Sequence, residues 1–129
     1  MPTQDEKNWA IAAHIGALFA AFVSLGVLPF LVPLVILLIK REESNFIAHH
    51  ARQALNFQLT CGLVSVFYLV LVLGGTLTII LIPATWLLAC LGPSLFFIVM
   101  AILAVKAAIR ANQGAPADYP AIPFLGDPE

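Results

Sequence analysis

Polar and apolar positions along this chain are segregated into blocks rather than alternating. No Asp, Glu, Lys or Arg occurs in residues 10–39, and none occurs in residues 53–105. At ~1.5 Å of rise per helical residue these runs extend about 45 Å and about 80 Å, against a hydrocarbon core of ~30 Å. The pattern predicts an all-α integral membrane protein, and the second run must cross at least twice. We expect a compact bundle of about four helical segments. It forms a single membrane domain over residues 1–129: a polar tail 1–8, a helical bundle 9–112 and a Pro-rich tail 113–129.

Within the first run, Ala12, Gly16, Ala20 and Ser24 recur every fourth position, flanked by Ala13, Ala17 and Ala21. Such a face admits close approach of a second helix in lipid. The helix should fail around Gly26-Val27-Leu28-Pro29, because glycine raises the backbone entropy cost and proline removes a donor. Pro33 should weaken the next turn. The remaining segment, about ten residues or ~15 Å, is too short to cross alone. Two shapes follow: one long kinked span, or a span that turns back as a short re-entrant helix.

The polar connection Lys40-Arg41-Glu42-Glu43-Ser44-Asn45 precedes a helix starting near Phe46, with Ser44 or Asn45 as its cap. At ~100° per residue, His49, Gln53, Asn56 and Thr60 fall in one narrow wedge, with Arg52 at its edge. A polar stripe thus enters the membrane. Residues 57–73 contain eleven Leu, Val or Phe, each contributing roughly −0.3 to −0.6 kcal/mol at mid-membrane, so this segment inserts. Gly74-Gly75-Thr76 and Ile82-Pro83 are both candidate breaks, and Pro83 is favoured. The last helix then runs from about residue 84 to 112 with a kink at Gly92-Pro93. Its end carries Ala101, Ala104, Ala108 and Ala111 as a second small-residue face, which can pack on the first. Asn112-Gln113-Gly114 supplies a helix stop. Residues 115–120 cannot continue a helix with Pro116 and Pro120 among them, and the tail 121–129, interrupted by Pro123, Gly126 and Pro128, is placed along the membrane surface.

Trp9, Lys40, Arg41 and Arg110 read as interfacial anchors. Because two crossings separate the charged connection from the C-terminal end, the positive-inside rule places both in the cytoplasm, and a turned-back first run places the N-terminus there too. The acidic-rich start Asp5-Glu6-Lys7 is unlike a secretory leader. The expected site is a bacterial plasma membrane.

Composition narrows function mainly by exclusion. The chain is 61% apolar and 10% charged, with net charge −1 and mean hydropathy +0.99; no basic footprint suits nucleic acid. Cys61 and Cys90 lie in apolar runs and read as packing residues. Adjacent His49 and His50 diverge by about 100° on a helix and do not chelate one metal together. His14 reads as a packed, hydrogen-bonded side chain rather than a ligand, and Asn56 and Gln53 are partners it could pair with. No carboxylate lies in either run to carry a proton relay, and neither a catalytic constellation nor a cofactor motif is found.

Ser44, Asn45 and Phe46, followed by His50-Ala51-Arg52-Gln53-Ala54-Leu55-Asn56-Phe57-Gln58, resemble the signature of small bacterial membrane proteins related to the chloroplast inner-envelope protein-import component. Trp9 with His14, the Pro33 to Lys40 stretch, and Lys106 to Gly114 followed by Tyr119-Pro120 look similar. Ala48-His49 departs from the acidic pair common there, and Ala115-Pro116-Ala117 from a more polar, aromatic stretch. The resemblance implies a bundle of about four helical segments without catalytic activity, possessing by analogy a link to protein translocation.

Two functions are expected from these features. The first is a non-enzymatic packing or assembly component whose partners are the lipid bilayer and other membrane proteins or further copies of itself. The second is an oligomeric small-solute channel lined by Gln53, Asn56 and Thr60. An intramembrane enzyme is a distant third.

Overall fold

The computed structural model describes residues 1–126, so Pro128 lies outside the described residues. These contain α1 (Gln4–Val23), α2 (Leu31–Lys40), α3 (Asn45–Thr76) and α4 (Ile82–Asn112), with one 3-10 turn, Ile79–Leu81, before α4.

Helix α1 starts earlier than the expected boundary at residue 9. Thr3 and Glu6 form a reciprocal capping box: Glu6 N–H donates to Thr3 Oγ1 at 3.3 Å, and Thr3 N–H to the Glu6 carboxylate at 2.7 Å. Two orphan donors of the first turn are thereby satisfied, which draws the polar tail into the helix. α1 ends in the segment predicted to break it. Leu25 takes a left-handed φ of 51° and Gly26 a φ of 84°, and Gly26 N–H closes on Ala21 O at 2.7 Å. A leucine in this seat carries strain of about 1–2 kcal/mol that a glycine avoids.

The chain then reverses. Val32 faces Gly16, and Lys40 Nζ sits 5.1 Å from the centre of the Trp9 ring, so α2 lies antiparallel along α1. Of the two predicted shapes the turned-back one is present, not the single kinked span. Pro33 does not weaken α2; it occupies the first turn, where its missing N–H has no intrahelical partner to lose.

Ser44 caps α3, accepting from Ile47 N–H at 3.4 Å, and donates its hydroxyl to Glu6 at 2.5 Å. That bond places the start of α3 beside the start of α1. α3 continues through Gly74 and Gly75, and the Thr76 and Thr78 hydroxyls take up carbonyls of its last turn. The reversal therefore follows the Gly-Gly-Thr signal, while the favoured Pro83 serves as an early residue of α4. α4 is helical through Gly92-Pro93. There the Tyr68 hydroxyl donates to Leu88 O, an approach that the bare Cα of Gly92 permits. Gly114, at φ 75°, ends the helix as predicted, with Ala115 N–H on Arg110 O at 3.0 Å.

The core lies at one end. Ala13, Ile36, Leu37, Ile47, Ala51 and Leu55 form one cluster, and Ala21, Phe57, Cys61 and Met100 another. Beyond Cys61 the described side chains of α3 are not buried, and in α4 Thr85 is the one buried residue before Met100. α3 and α4 are the two helices, among the described residues, long and apolar enough to cross a membrane. The protein buries 17% of the most apolar stretch of α3 and 11% of that of α4. A soluble core helix would be covered by its own protein; these require acyl chains.

Candidate functional site

The polar stripe at the base of α3 meets the chain's own C-terminal segment. Leu125 N–H donates to Asn56 Oδ1 at 3.0 Å and Ile122 N–H to Thr60 Oγ1 at 2.9 Å. Thr60 also donates to Asn56 O at 2.8 Å. His49 Nε2 reaches Ala117 O at 3.4 Å, and Gln53 is also engaged. The Tyr119 ring stacks on Phe57, with centroids 4.3 Å apart and an interplanar angle of 8°. Proline-rich residues 115–125 cannot satisfy their own backbone through a helix, so side chains of α3 do it. The segment straps the base of the bundle.

Next to this strap runs a chain of three rings. The Tyr119 hydroxyl is 2.9 Å from His14 Nδ1, His14 Nε2 is 3.0 Å from His50 Nδ1, and His50 Nε2 is 3.0 Å from Ala115 O. With both imidazoles neutral, one proton arrangement satisfies all three bonds. A carbonyl only accepts, so His50 Nε2 donates and its Nδ1 accepts. His14 Nε2 must then donate, its Nδ1 accepts, and Tyr119 donates to it. Burial, with Cys61 nearby, pushes the Tyr119 phenol upward, which keeps the donor protonated. His14 and His50 are each at most 1% exposed, so an unmade bond would leave a polar atom without water. His14 thus pairs with His50 and Tyr119 rather than with Gln53 or Asn56. Their sequence separations of 36 and 105 residues carry no local signal.

The small-residue faces are shifted. The buried stripe on α1 is Ala10, Ala13, Ala17 and Ala21, a step of about 100° from Ala12, Gly16, Ala20 and Ser24. Gly16 meets Val32 of α2, and Ser24 bonds Ala20 O and Leu28 N–H at the turn. On α4, Ala104, Ala108 and Ala111 are buried together with Ala107, while Ala101 is half-buried at the edge. α1 packs most extensively on α4, where small side chains let the backbones approach.

Trp9 is half-buried under Lys40, which also pairs with Glu43 at 2.6 Å; Arg41 lies 3.6 Å from Glu42 and Arg110 3.5 Å from Asp118. The Ser44 hydroxyl, then the Thr3 backbone and side chain, hold the Glu6 carboxyl below its usual range. Cys61 is buried and Cys90 exposed, both as free thiols. Among the described residues no three His, Cys, Asp or Glu side chains are grouped to hold a metal ion. Gln58, which the sequence pattern did not single out, is buried with no hydrogen-bond partner for Oε1 among them.

No curated protein and no solved structure matches the chain. A family model does, over residues 5–125: the magnetosome magnetite crystal formation protein family, MamF/MmsF. This overturns the kinship with the protein-import component suggested by the His50 to Gln58 run. His50, Asn56 and Phe57 in that run hold the base of the bundle and the strap, so the pattern reports a way of packing helices rather than a role. The span of the match, nearly the whole chain, makes this protein a member of the magnetosome magnetite crystal formation family.

Proposed function

We propose that the protein acts in magnetite crystal formation as a non-enzymatic assembly component of the magnetosome membrane, rather than of the plasma membrane at large. The family supports the setting. The observation that carries the mode of action is that Asn56 and Thr60 of the α3 stripe are taken up by the chain's own tail. Both accept from strap backbone N–H groups, so they are not free to line a solute path, and the channel reading loses two of its three lining residues. The surface left for partners is apolar. Leu87, Leu91 and Leu95 on α4, with Leu63, Val66 and Val70 on α3, face outward along the hairpin. In the bilayer these positions contact lipid and the helices of neighbouring membrane proteins, where van der Waals packing drives association. The basic residues gather at the end holding the start of α1, the end of α4 and the α2–α3 connection, and this end faces the cytoplasm by the positive-inside rule.

Disrupting the gene in a magnetosome-forming cell tests the proposal. Electron microscopy should show crystals altered in size or shape and restored by the full chain; unchanged crystals would overturn the role. A photo-crosslinker at Leu87 should capture other magnetosome membrane proteins, and labelling of lipid alone would overturn the assembly mode.

A further inference from the structure

An open groove of about 560 Å³ runs along the outer face of α4, lined by Ala101, Ile102, Val105, Lys106, Ile109 and Arg110. Its polarity changes along its length. Ala101 and Ile102 form the apolar end, towards the membrane-buried hairpin, and Lys106 and Arg110 the cationic end, near the helix terminus. The two cations are four residues apart and so share one face. Lys106 is exposed and has no ion pair among the described residues. Arg110 touches Asp118 at 3.5 Å in a solvent-exposed pair, an arrangement that holds a guanidinium weakly. No carboxylate lines the groove itself.

From this gradient we propose that the groove is a binding site for one anionic phospholipid, its phosphate between Lys106 and Arg110 and one acyl chain along Ala101, Ile102 and Val105. Charge complementarity selects the headgroup, since Lys106, which has no ion pair among the described residues, and Arg110, held only by an exposed pair with Asp118, favour net negative charge over a zwitterion. Length selects the orientation: from residue 101 to residue 110 the helix rises ~14 Å, about half of a ~30 Å hydrocarbon core and so one leaflet deep. The site is independent of the crystal-forming role, and the two stand or fall separately.

Native mass spectrometry of the full chain in mild detergent, with dioleoyl phosphatidylglycerol and dioleoyl phosphatidylcholine as probes, tests the site. One cation near an anionic headgroup favours it about fivefold, so phosphatidylglycerol should be retained well above phosphatidylcholine, and Lys106→Gln should lower that preference about fivefold. Lys106 is exposed, which makes the substitution compatible with folding, and Arg41→Gln at the same end should leave the preference unchanged. Glycerol phosphate, a headgroup without chains, should displace nothing. Equal retention of the two lipids, an unchanged preference in Lys106→Gln, displacement by glycerol phosphate, or a second copy of the chain occupying the face would each overturn the proposal.

Discussion

Replacing Tyr119 by Phe keeps the ring that stacks on Phe57 but deletes the hydroxyl that donates to His14 Nδ1. The acceptor left behind is buried, so Tyr119→Phe should cost about 1–3 kcal/mol, read as a lowered unfolding midpoint in detergent with cleavage of the strap by added protease. An unchanged midpoint and an intact strap would show that stacking alone holds the tail. Glu6 offers a pH-dependent counterpart. Its folded-state pKa lies below the unfolded value, so the stabilisation it provides is present above the ordinary carboxylate range and is lost as pH falls through the folded value. Because the Ser44 hydroxyl is the largest cause, Ser44→Ala should move the Glu6 titration upward, followed by carbon NMR of its carboxyl. Neither contact is written locally. Ser44 was legible as a cap, but its bond to a carboxylate 38 residues away depends on where the α1–α2 hairpin returns the chain.

At the scale of elements, the periodicity of apolar positions was a good guide to where helices run and a poorer guide to which face is buried. Gly16 shows why. A Cβ there would lie 2.6 Å from Val32 Cγ1, and a β-branched side chain on a helix has little rotamer freedom with which to withdraw. Gly16→Ala should therefore push α2 from α1 at a cost of about 1–3 kcal/mol, seen as a lower unfolding midpoint and a weaker cross-link between cysteines placed at positions 12 and 36. The predicted Ala12, Gly16, Ala20 and Ser24 face was real as a pattern of small residues, yet the neighbouring stripe is the buried one: Ala13 packs among residues of α2 and α3, and Ala21 against Phe57, Cys61 and Met100. Pro83 and the Gly-Gly-Thr run were both read as breaks; a helix stop and a following helix start bracket one reversal, and spacing alone did not rank them. The strap was missed for another reason. Its prolines announce what it cannot form, not where it docks, although unpaired amides in the tail and an intramembrane polar stripe on α3 were complementary in hydrogen-bonding needs.

The whole molecule is a small multi-helix membrane protein: a packed base from which a long apolar hairpin projects. The start of α1, the end of α4 and the connection between α2 and α3 lie at that base, since Gly114 lies beside Pro2 and Lys7 and Ser44 bonds Glu6. Single cysteines introduced at Thr3, Glu42 and Ala115 should consequently react with an impermeant thiol reagent from one side of the membrane, and one at Thr78 from the other; labelling of Thr3→Cys and Glu42→Cys from opposite sides would refute the turned-back hairpin. The sequence by itself determined the solvent, since two runs without charge have no stable place in water at this length, and with it the all-helical architecture that an unhydrated backbone demands. It determined too which segments end helices, because glycine and proline act on the chain where they stand. Tertiary structure alone decided what the polar groups are for. Hydrogen bonds such as His14 to His50, Tyr119 to His14 and Leu125 to Asn56 join residues 36 to 105 positions apart, and a direction for each bond exists once all partners are in place.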